Sequence, residues 1–273
     1  MTSGKRHFIF ISAAALVLAL IALLFVFAPS ALAQEARFTG EPLPATRVAG
    51  DVTISYTTRT LEESGSLDEG LPYYTVDYTS LTNACAPLAG SVVLAYYDIA
   101  FSDLIPGFTA KLFGEYRQPN SAFYDCLDEL YSLMHVNEAG PGASESEFDE
   151  GLADYVTDKG YSISYLPAFS GGKIDYAAVK TAINSQRPVL VFALDVDFYG
   201  SVSYGANYAS YSWKKSVSNH IFVIEEYQKF VCNKGLPEEY EYVVYYVSDL
   251  YTGSRSIVMG DLTVYNAKGV IIS

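Results

Sequence analysis

One of the three cysteines in this 273-residue chain stands where nucleophilic chemistry is possible. Cys85 directly precedes an apolar segment, residues 86–100, in which an early Pro87 favours a helix start. The partial positive charge at a helix N-terminus lowers the pKa of a thiol there, so that the thiolate becomes available near neutral pH. Cys85 is therefore a candidate nucleophile. A structural cysteine that happens to lie near a helix start is the alternative.

A histidine and an aspartate follow at positions where they could serve this cysteine. His220 opens an apolar strand predicted over 220–228, where it could act as general base for a thiol and general acid for a leaving amine. Asp249 ends a second predicted strand, 241–248, which we expect to pair with the first as a hairpin. Its carboxylate could then orient the imidazole, although aspartate is also a common turn residue at strand ends.

The segments that must position these residues divide into helices first and strands later. The third predicted helix opens with a Ser144/Glu147 capping box. Apolar spacing predicts helices over 86–100, 121–136, 144–160 and 174–186. Runs rich in β-branched and aromatic residues predict strands over 161–167, 188–194, 220–228, 241–249 and 260–273. This order indicates an α+β fold, in which N-terminal helices, one of them buried and carrying Cys85, pack on a C-terminal antiparallel sheet.

Two stretches of the chain lack a clear period. Residues 34–70, which include the acidic 61–70 segment, are predicted to be a linker or short pro-segment before a single domain over 71–273. They are short for a folded inhibitory unit but long enough to cover a cleft. Residues 195–219, rich in Tyr, Ser and Gly, are predicted to form a long loop of the kind that often binds ligands.

The N-terminus predicts export. A basic pair and a long apolar run lead to an Ala-x-Ala pattern ending at Ala33, as in a signal peptide over residues 1–33. The run is also long enough to span a bilayer, so an uncleaved anchor stays open, and contact with a membrane is expected only in that case. Both interpretations place the protein as secreted or on the extracellular face of the membrane. In that oxidising compartment a Cys126–Cys232 disulfide, one of the open pairings, would leave Cys85 free.

Composition argues against several classes of function. Without residues 1–33 the chain has 31 acidic and 15 basic residues, and a net charge of −16 repels nucleic acid. The sequence contains no HExxH motif, no paired CxxC motif and no glycine-rich phosphate loop. We therefore expect no nucleic-acid partner, no metal and no cofactor, while the oligomeric state is left open.

Four motifs carry a resemblance to a known family. They are "NACAPLAGSVVLAYYD", "YAAVKTAINSQRPVLVFAL", "SNHIFVIEEYQ" and "YYVSDLYTG", in that order along the chain. Together they resemble papain-like bacterial cysteine peptidases, above all the branch similar to bacteriocin-leader-processing peptidases, over about residues 72–265. His220 follows Cys85 by 135 residues, and the papain type places its histidine roughly 130–150 residues after its cysteine. The resemblance implies that Cys85 is the nucleophile, His220 the base and Asp249 the orienter.

The chain departs from the pattern of this family at the oxyanion hole. The family generally has a glutamine a few residues before the cysteine, and none lies between Gln34 and Cys85. Asn83 is the nearest amide side chain, and Thr79 stands six residues upstream, where papain-type enzymes place that glutamine. Loss of one such donor typically costs on the order of 10²–10³ in rate. The family's usual glycine before the histidine is Asn219 here.

The leading expectation is a secreted or surface-exposed cysteine peptidase that cleaves peptide or protein substrates. A papain-like amidase or acyltransferase would use the same residues. A third hypothesis is a non-catalytic surface binding module on a degenerate papain-like fold, with the Tyr-rich residues 197–212 as its contact surface.

Overall fold

The computed structural model describes residues 35–40, 52–76, 80–260 and 262–273 of the chain. The helices in these residues are α1 Cys85–Asp98, α2 Ser121–Leu133, α3 Glu145–Asp158 and α4 Tyr176–Asn184. The strands are β1 Arg37–Phe38, β2 Val52–Ser55, β3 Arg59–Ser66, β4 Lys111–Leu112, β5 Glu115–Tyr116, β6 Ala143–Ser144, β7 Ile163–Pro167, β8 Phe169–Ser170, β9 Lys173–Ile174, β10 Val189–Tyr204, β11 Tyr208–Cys232, β12 Tyr240–Ser248, β13 Arg255–Met259 and β14 Asn266–Ile272. The predicted signal peptide lies outside the described residues.

Helix α1 is the central element, and all its residues are buried. Its sequence is apolar on every face, as a helix surrounded by protein requires. It packs against α2, α3 and β11. The few polar groups that it carries inside are satisfied, since Ser91 Oγ donates to the Pro87 carbonyl at 2.9 Å and an Asp98 oxygen accepts from the Ile105 N–H at 3.0 Å. The predicted buried helix over 86–100 is thus confirmed, with observed bounds of Cys85–Asp98.

The other helices begin at side-chain caps that satisfy their first free N–H groups. Asn120 and Asp175 cap α2 and α4 through their side-chain oxygens. The predicted capping box at the start of α3 is present in full, with Ser144 and Glu147 each bonding the other's backbone N–H. These caps fix where each helix starts on the surface of the sheet.

One large antiparallel sheet of eight strands supports the helices. Its strand order is β2-β11-β12-β13-β10-β14-β7, and β3 also pairs with β11. Since β10 additionally pairs with β11, and β13 meets β10 at Ile257 and Tyr199, the strands β10 to β13 close into a barrel-like ring. The predicted hairpin between the His220 strand and the strand that ends before Asp249 is formed by β11 and β12. The described residues therefore have an α+β fold.

The prediction of a long loop over 195–219 is wrong. These residues form the outer half of the β10–β11 hairpin, whose turn lies at 205–207. The hairpin's inner face packs in a second apolar cluster that includes Tyr199, Ala209 and Tyr211. Long-range pairing with β2 and burial of these side chains stabilise the two strands. The strands therefore form although their sequence lacks the alternation of apolar and polar residues that would have predicted them.

The prediction of an irregular linker over 34–70 does not hold for residues 59–66. They form β3, which pairs antiparallel with β11. Glu62 of this acidic strand lies 3.1 Å from Lys229, and Glu63 forms an ion pair with Lys180. Charged edge strands are common because they discourage further pairing. Strands β2 and β3 are therefore part of the large sheet, whereas β1 pairs with β6 in a separate two-stranded sheet. Ala36–Ser273 form one compact unit.

The suggested disulfide is not present. All three cysteines lie in the described part of the chain, and Cys85, Cys126 and Cys232 are free, buried thiols. None of the described helices has the length and apolar character that crossing a bilayer requires.

Candidate active site

Cys85 is the first residue of α1, and its side chain is fully buried. Burial raises the pKa of the thiol to about 12, although the backbone N–H groups of Ile221, Ala86 and Cys85 itself act in the opposite direction. Those three groups would stabilise a thiolate once water reached the sulfur. In the closed arrangement seen here, the thiol is neutral at physiological pH.

His220 lies on β11 and is also fully buried. Its Nε2 is 3.0 Å from the backbone carbonyl oxygen of Asp249. A carbonyl oxygen only accepts hydrogen bonds, so Nε2 carries the proton and Nδ1 carries the lone pair. This Nδ1 is buried and has no hydrogen-bond partner among the described residues. The ring is therefore held as a base whose accepting nitrogen is unused.

The Cys85 side chain and His220 Nδ1 both border the small space next to Gly40. A Cβ built on Gly40 would be 2.9 Å from Cys85 Cβ and 3.0 Å from His220 Nδ1. Cys85 Cβ and His220 Nδ1 are therefore less than 6 Å apart, and no hydrogen bond joins the thiol to Nδ1 in this arrangement. The structure thus brings together the two residues that the sequence analysis paired across 135 positions.

Aromatic side chains enclose the imidazole. The Tyr251 ring lies over it at 4.9 Å with an interplanar angle of 30°, and the Phe198 ring meets it edge-on at 5.7 Å. The ammonium of Lys215 lies 3.5 Å from the centre of the Tyr251 ring. Burial lowers the pKa of His220 to about 4; the hydrogen bond and charge of Asp249 raise it, and Lys215 lowers it further. The imidazole is therefore neutral, as a general base must be.

The carboxylate of Asp249 has a different role from the one expected. It accepts hydrogen bonds from the backbone N–H groups of Tyr251 and Thr252, both at 3.0 Å, and from the hydroxyl of Ser256 at 2.6 Å. The carboxylate thus holds the turn after β12, while the backbone carbonyl of the same residue holds the imidazole. The expectation that the side chain bonds directly to His220 is corrected, because the turn's own donors lie closer.

Asn83 and Thr79 are the two residues predicted as oxyanion-hole donors. Asn83 lies two residues before Cys85, but its Nδ2 donates to Asn137 Oδ1 at 2.7 Å. Thr79 lies outside the described residues. One donor at the right place is the N–H of Cys85, which as the first residue of a helix has no intrahelical acceptor.

Four residues at this site have no role in the sequence-based prediction. The N–H groups of Thr39 and Gly40 donate to the carbonyl oxygen of Asn219, at 2.8 and 2.9 Å. Asn219 itself has φ 46°, a left-handed conformation that glycine and asparagine tolerate best. Tyr251, in the "YYVSDLYTG" motif, is the fourth. Only the departure at Asn219 gave a signal in the sequence.

A separate cleft of about 720 Å³ lies on the sheet and is lined by residues of β2, β9, α4, β10, β11, β12 and β13. Its lining includes neither Cys85 nor His220. The cleft is therefore distinct from the space that Cys85 and His220 share.

No model of a protein family, no curated protein and no solved structure matches this chain.

Proposed function

We propose that this protein is a cysteine peptidase, with Cys85 as nucleophile and His220 as its base, on a fold of the papain-like type. The observation that carries the proposal is the orientation of His220. Its Nε2–H is tied to a carbonyl oxygen, and its free Nδ1 faces the residue that starts a buried helix. A thiol at a helix N-terminus and an imidazole on a sheet strand divide the two roles as the papain type does.

In the first step, the Cys85 thiol transfers its proton to His220 Nδ1, and the sulfur attacks the carbonyl carbon of a peptide bond. A tetrahedral intermediate forms with its negative charge on the former carbonyl oxygen. The N–H of Cys85 is placed to donate to that oxygen. A second donor would require Asn83 to leave Asn137, which is a conformational step that substrate binding could supply.

In the second step, His220 Nδ1–H protonates the departing amine while the carbon–nitrogen bond breaks, leaving a thioester on Cys85. A water molecule then gives a proton to Nδ1 and attacks the thioester carbon. The carbon–sulfur bond breaks, the sulfur takes up the proton from Nδ1, and a carboxylic acid is released. Throughout both steps the Asp249 carbonyl keeps Nε2 protonated and the ring in place.

The proposal includes export and a peptide or protein partner. The proposal of export is based on the sequence of residues 1–33. The proposal of a peptide or protein partner is based on the acyl chemistry that a thiol beside an imidazole can perform. A papain-like amidase or acyltransferase would share both steps up to the thioester.

A non-catalytic binding module is the second candidate, and one observation favours it. The Asn83 amide, which could have served the oxyanion, is already bonded to Asn137. If no second donor can be recruited, catalysis would be weak. The Tyr-rich hairpin, with Tyr204 and Tyr208 half exposed, would then offer the contact surface.

A peptide-library digestion separates the two candidates. The full chain is incubated with a mixed library over many hours, and new termini are read by mass spectrometry. We expect cleavage by the wild type and by Cys126→Ala, a matched control that removes another buried free thiol. We expect none by Cys85→Ala and a loss of roughly 10³-fold or more in His220→Ala. Equal cleavage by Cys85→Ala and the wild type would refute the proposal.

A further inference from the structure

The segment Arg37–Gly40 lies across the Cys85–His220 pair as a short added strand. Arg37 and Phe38 pair antiparallel with Ser144 and Ala143 of β6. The next two N–H groups, those of Thr39 and Gly40, bond to the carbonyl oxygen just before His220. Main-chain pairing of an extended segment with an exposed strand is the mode in which many proteins bind peptides.

Phe38 anchors this segment. Its side chain is fully buried, and its ring meets the rings of Phe192 at 5.3 Å and Tyr265 at 5.7 Å, both edge-on. Behind Phe192 lies the ring of Phe148, at 5.3 Å. The walls of this pocket thus come from α3, β10 and the residues before β14, and a single aromatic side chain from outside fills it.

Arg37 fixes the same segment from the polar side. Its guanidinium lies 2.9 Å from a carboxylate oxygen of Glu147 and donates to the carbonyl oxygen of Gly142 at 2.7 Å. Glu147 is also the partner of Ser144 in the capping box of α3, so the contact is to a helix start held by its own hydrogen bonds. The position of the segment is therefore set by contacts on both sides of its backbone.

Gly40 is the residue that meets the reactive groups. A Cβ at this position would lie 2.7 Å from the Tyr251 hydroxyl, 2.9 Å from Cys85 Cβ and 3.0 Å from His220 Nδ1, each too close for an ordinary contact. Its φ of +69° also disfavours a side chain. Only glycine fits here without displacement, and the fit helps to leave both Cys85 and His220 without solvent exposure.

We propose that Arg37–Gly40 is a resident peptide in the substrate groove, which keeps the Cys85–His220 pair closed and identifies the substrate class as extended peptides with an aromatic residue two positions before a glycine. This inference rests on the proposed function, because a groove over a thiol and an imidazole is a substrate groove only if they react. When the segment leaves, water reaches the sulfur and the imidazole ring. A thiolate–imidazolium ion pair can then form, because hydration reduces the cost of charging both groups. The desolvation that now raises the pKa of Cys85 and lowers that of His220 acts against that ion pair.

The test for the resident peptide uses the full chain with Gly40→Ala, which introduces the clashing Cβ. The matched control is Gly171→Ala in the β8–β9 turn, where φ is +60° and no atom lies within 4 Å of the added Cβ. Arg37→Glu is a second variant, which opposes Glu147 without adding bulk at the thiol. Alkylation of Cys85 by iodoacetamide at pH 7 is followed by mass spectrometry. We expect at least a tenfold faster rate in Gly40→Ala and Arg37→Glu, and the wild-type rate in Gly171→Ala.

The substrate class is tested with a synthetic peptide of the sequence EARFTGEPLP, taken from residues 35–44. We expect Gly40→Ala to cleave it, with the cut within one residue of the peptide's glycine. Replacing the peptide's phenylalanine by alanine, or its glycine by alanine, should lower kcat/KM at least tenfold. Equal cleavage of all three peptides would overturn the assigned class.

The outcomes separate the two proposals. Equal alkylation rates in the wild type, Gly40→Ala and Arg37→Glu, with cleavage of library peptides retained, would overturn the resident peptide and leave the peptidase standing. Faster alkylation in Gly40→Ala that is unchanged by a further His220→Ala, with no peptide cut, would mean that the segment covers a thiol that the imidazole does not activate. The peptidase proposal, and with it the substrate class, would then fail.

Discussion

Asp249 shows how one residue can act through two different groups. Its backbone carbonyl accepts a hydrogen bond from His220 Nε2. Its carboxylate accepts from four donors that follow β12, which are the Tyr251 N–H, the N–H and the hydroxyl of Thr252, and the Ser256 hydroxyl. These hydrogen bonds hold the turn after β12, and the turn holds the Asp249 carbonyl in place. The carboxylate is therefore a positioning group whose effect on the imidazole is indirect, apart from its charge, which raises the pKa of His220.

This division predicts different results for two substitutions of Asp249. Asp249→Asn keeps an oxygen for the two backbone N–H groups, and we expect it to retain activity within about tenfold. Asp249→Ala loses the whole turn network, and we expect a drop of about 10² or more, with destabilisation of the fold. Activity against pH is measured for both, because loss of the carboxylate charge should lower the kinetic pKa of His220 in either variant. A carboxylate that directly oriented the ring would instead cost on the order of 10⁴ in kcat on change to asparagine. That result would contradict the carbonyl role.

At the level of elements, close helix packing sets the position of α1 and hence of Cys85. Gly90 on α1 and Gly151 on α3 both face the C-terminal end of α2. A Cβ on Gly151 would lie 2.8 Å from backbone atoms of Leu133 and Met134, which cannot move aside. A Cβ on Gly90 would first meet the end of the flexible Met134 side chain, at 3.2 Å.

The two glycines form a matched pair for a stability prediction. In each case Gly→Ala gains about 1 kcal/mol of helix propensity. For Gly151→Ala we expect overpacking to exceed that gain and to give a net loss of about 1–2 kcal/mol. Gly90→Ala should be close to neutral, because the Met134 side chain can adjust. Urea unfolding of both variants measures the free energies, and equal effects would show that the backbone contact at Gly151 is not limiting.

Elements set by local chemistry were predictable from the sequence, and elements set by distant partners were not. The Ser144/Glu147 box and the apolar face of α1 act within a few residues, and both appear as expected. The sequence of β3 predicts an acidic loop, because the strand is stabilised by pairing with β11 and by lysines far along the chain, such as Lys229. The outer β10–β11 hairpin was missed for the same reason.

At the scale of the whole molecule, the site is assembled from four separate parts of the chain. The helix start at Cys85, the strand at His220, the turn at Asp249 and the segment ending at Gly40 meet around one buried space. The first three carry residue types with recognisable chemistry, so the sequence could name them. The residues around Gly40 in the sequence do not show that a glycine is required there. The requirement comes from its contacts in the folded protein, where the Cys85 and His220 side chains leave no room for a Cβ.

Closure of this space has a consequence for the stability of the whole fold. His220 is neutral in the folded protein, with a pKa lowered from 6.5 to about 4 by burial, and Asp249, Lys215, Cys85 and Tyr251 face it. As pH falls from 6.5 towards 4, the unfolded chain binds a proton that the folded chain does not, so stability is lost over that range. At pH 4.5 the loss attributable to His220 is about 2–3 kcal/mol relative to pH 7.5.

The measurement that isolates this loss compares urea unfolding of the wild type and His220→Gln at pH 7.5 and 4.5. Glutamine cannot titrate but can still donate to the Asp249 carbonyl. Buried carboxyls such as Glu225, whose pKa is raised by burial, change stability in the opposite direction, but equally in both proteins. The difference in unfolding free energy should therefore shift in favour of the variant by about 2–3 kcal/mol on acidification. A pH-independent difference for His220→Gln would mean that the imidazole is already hydrated, and hence that the segment ending at Gly40 does not close the site in solution.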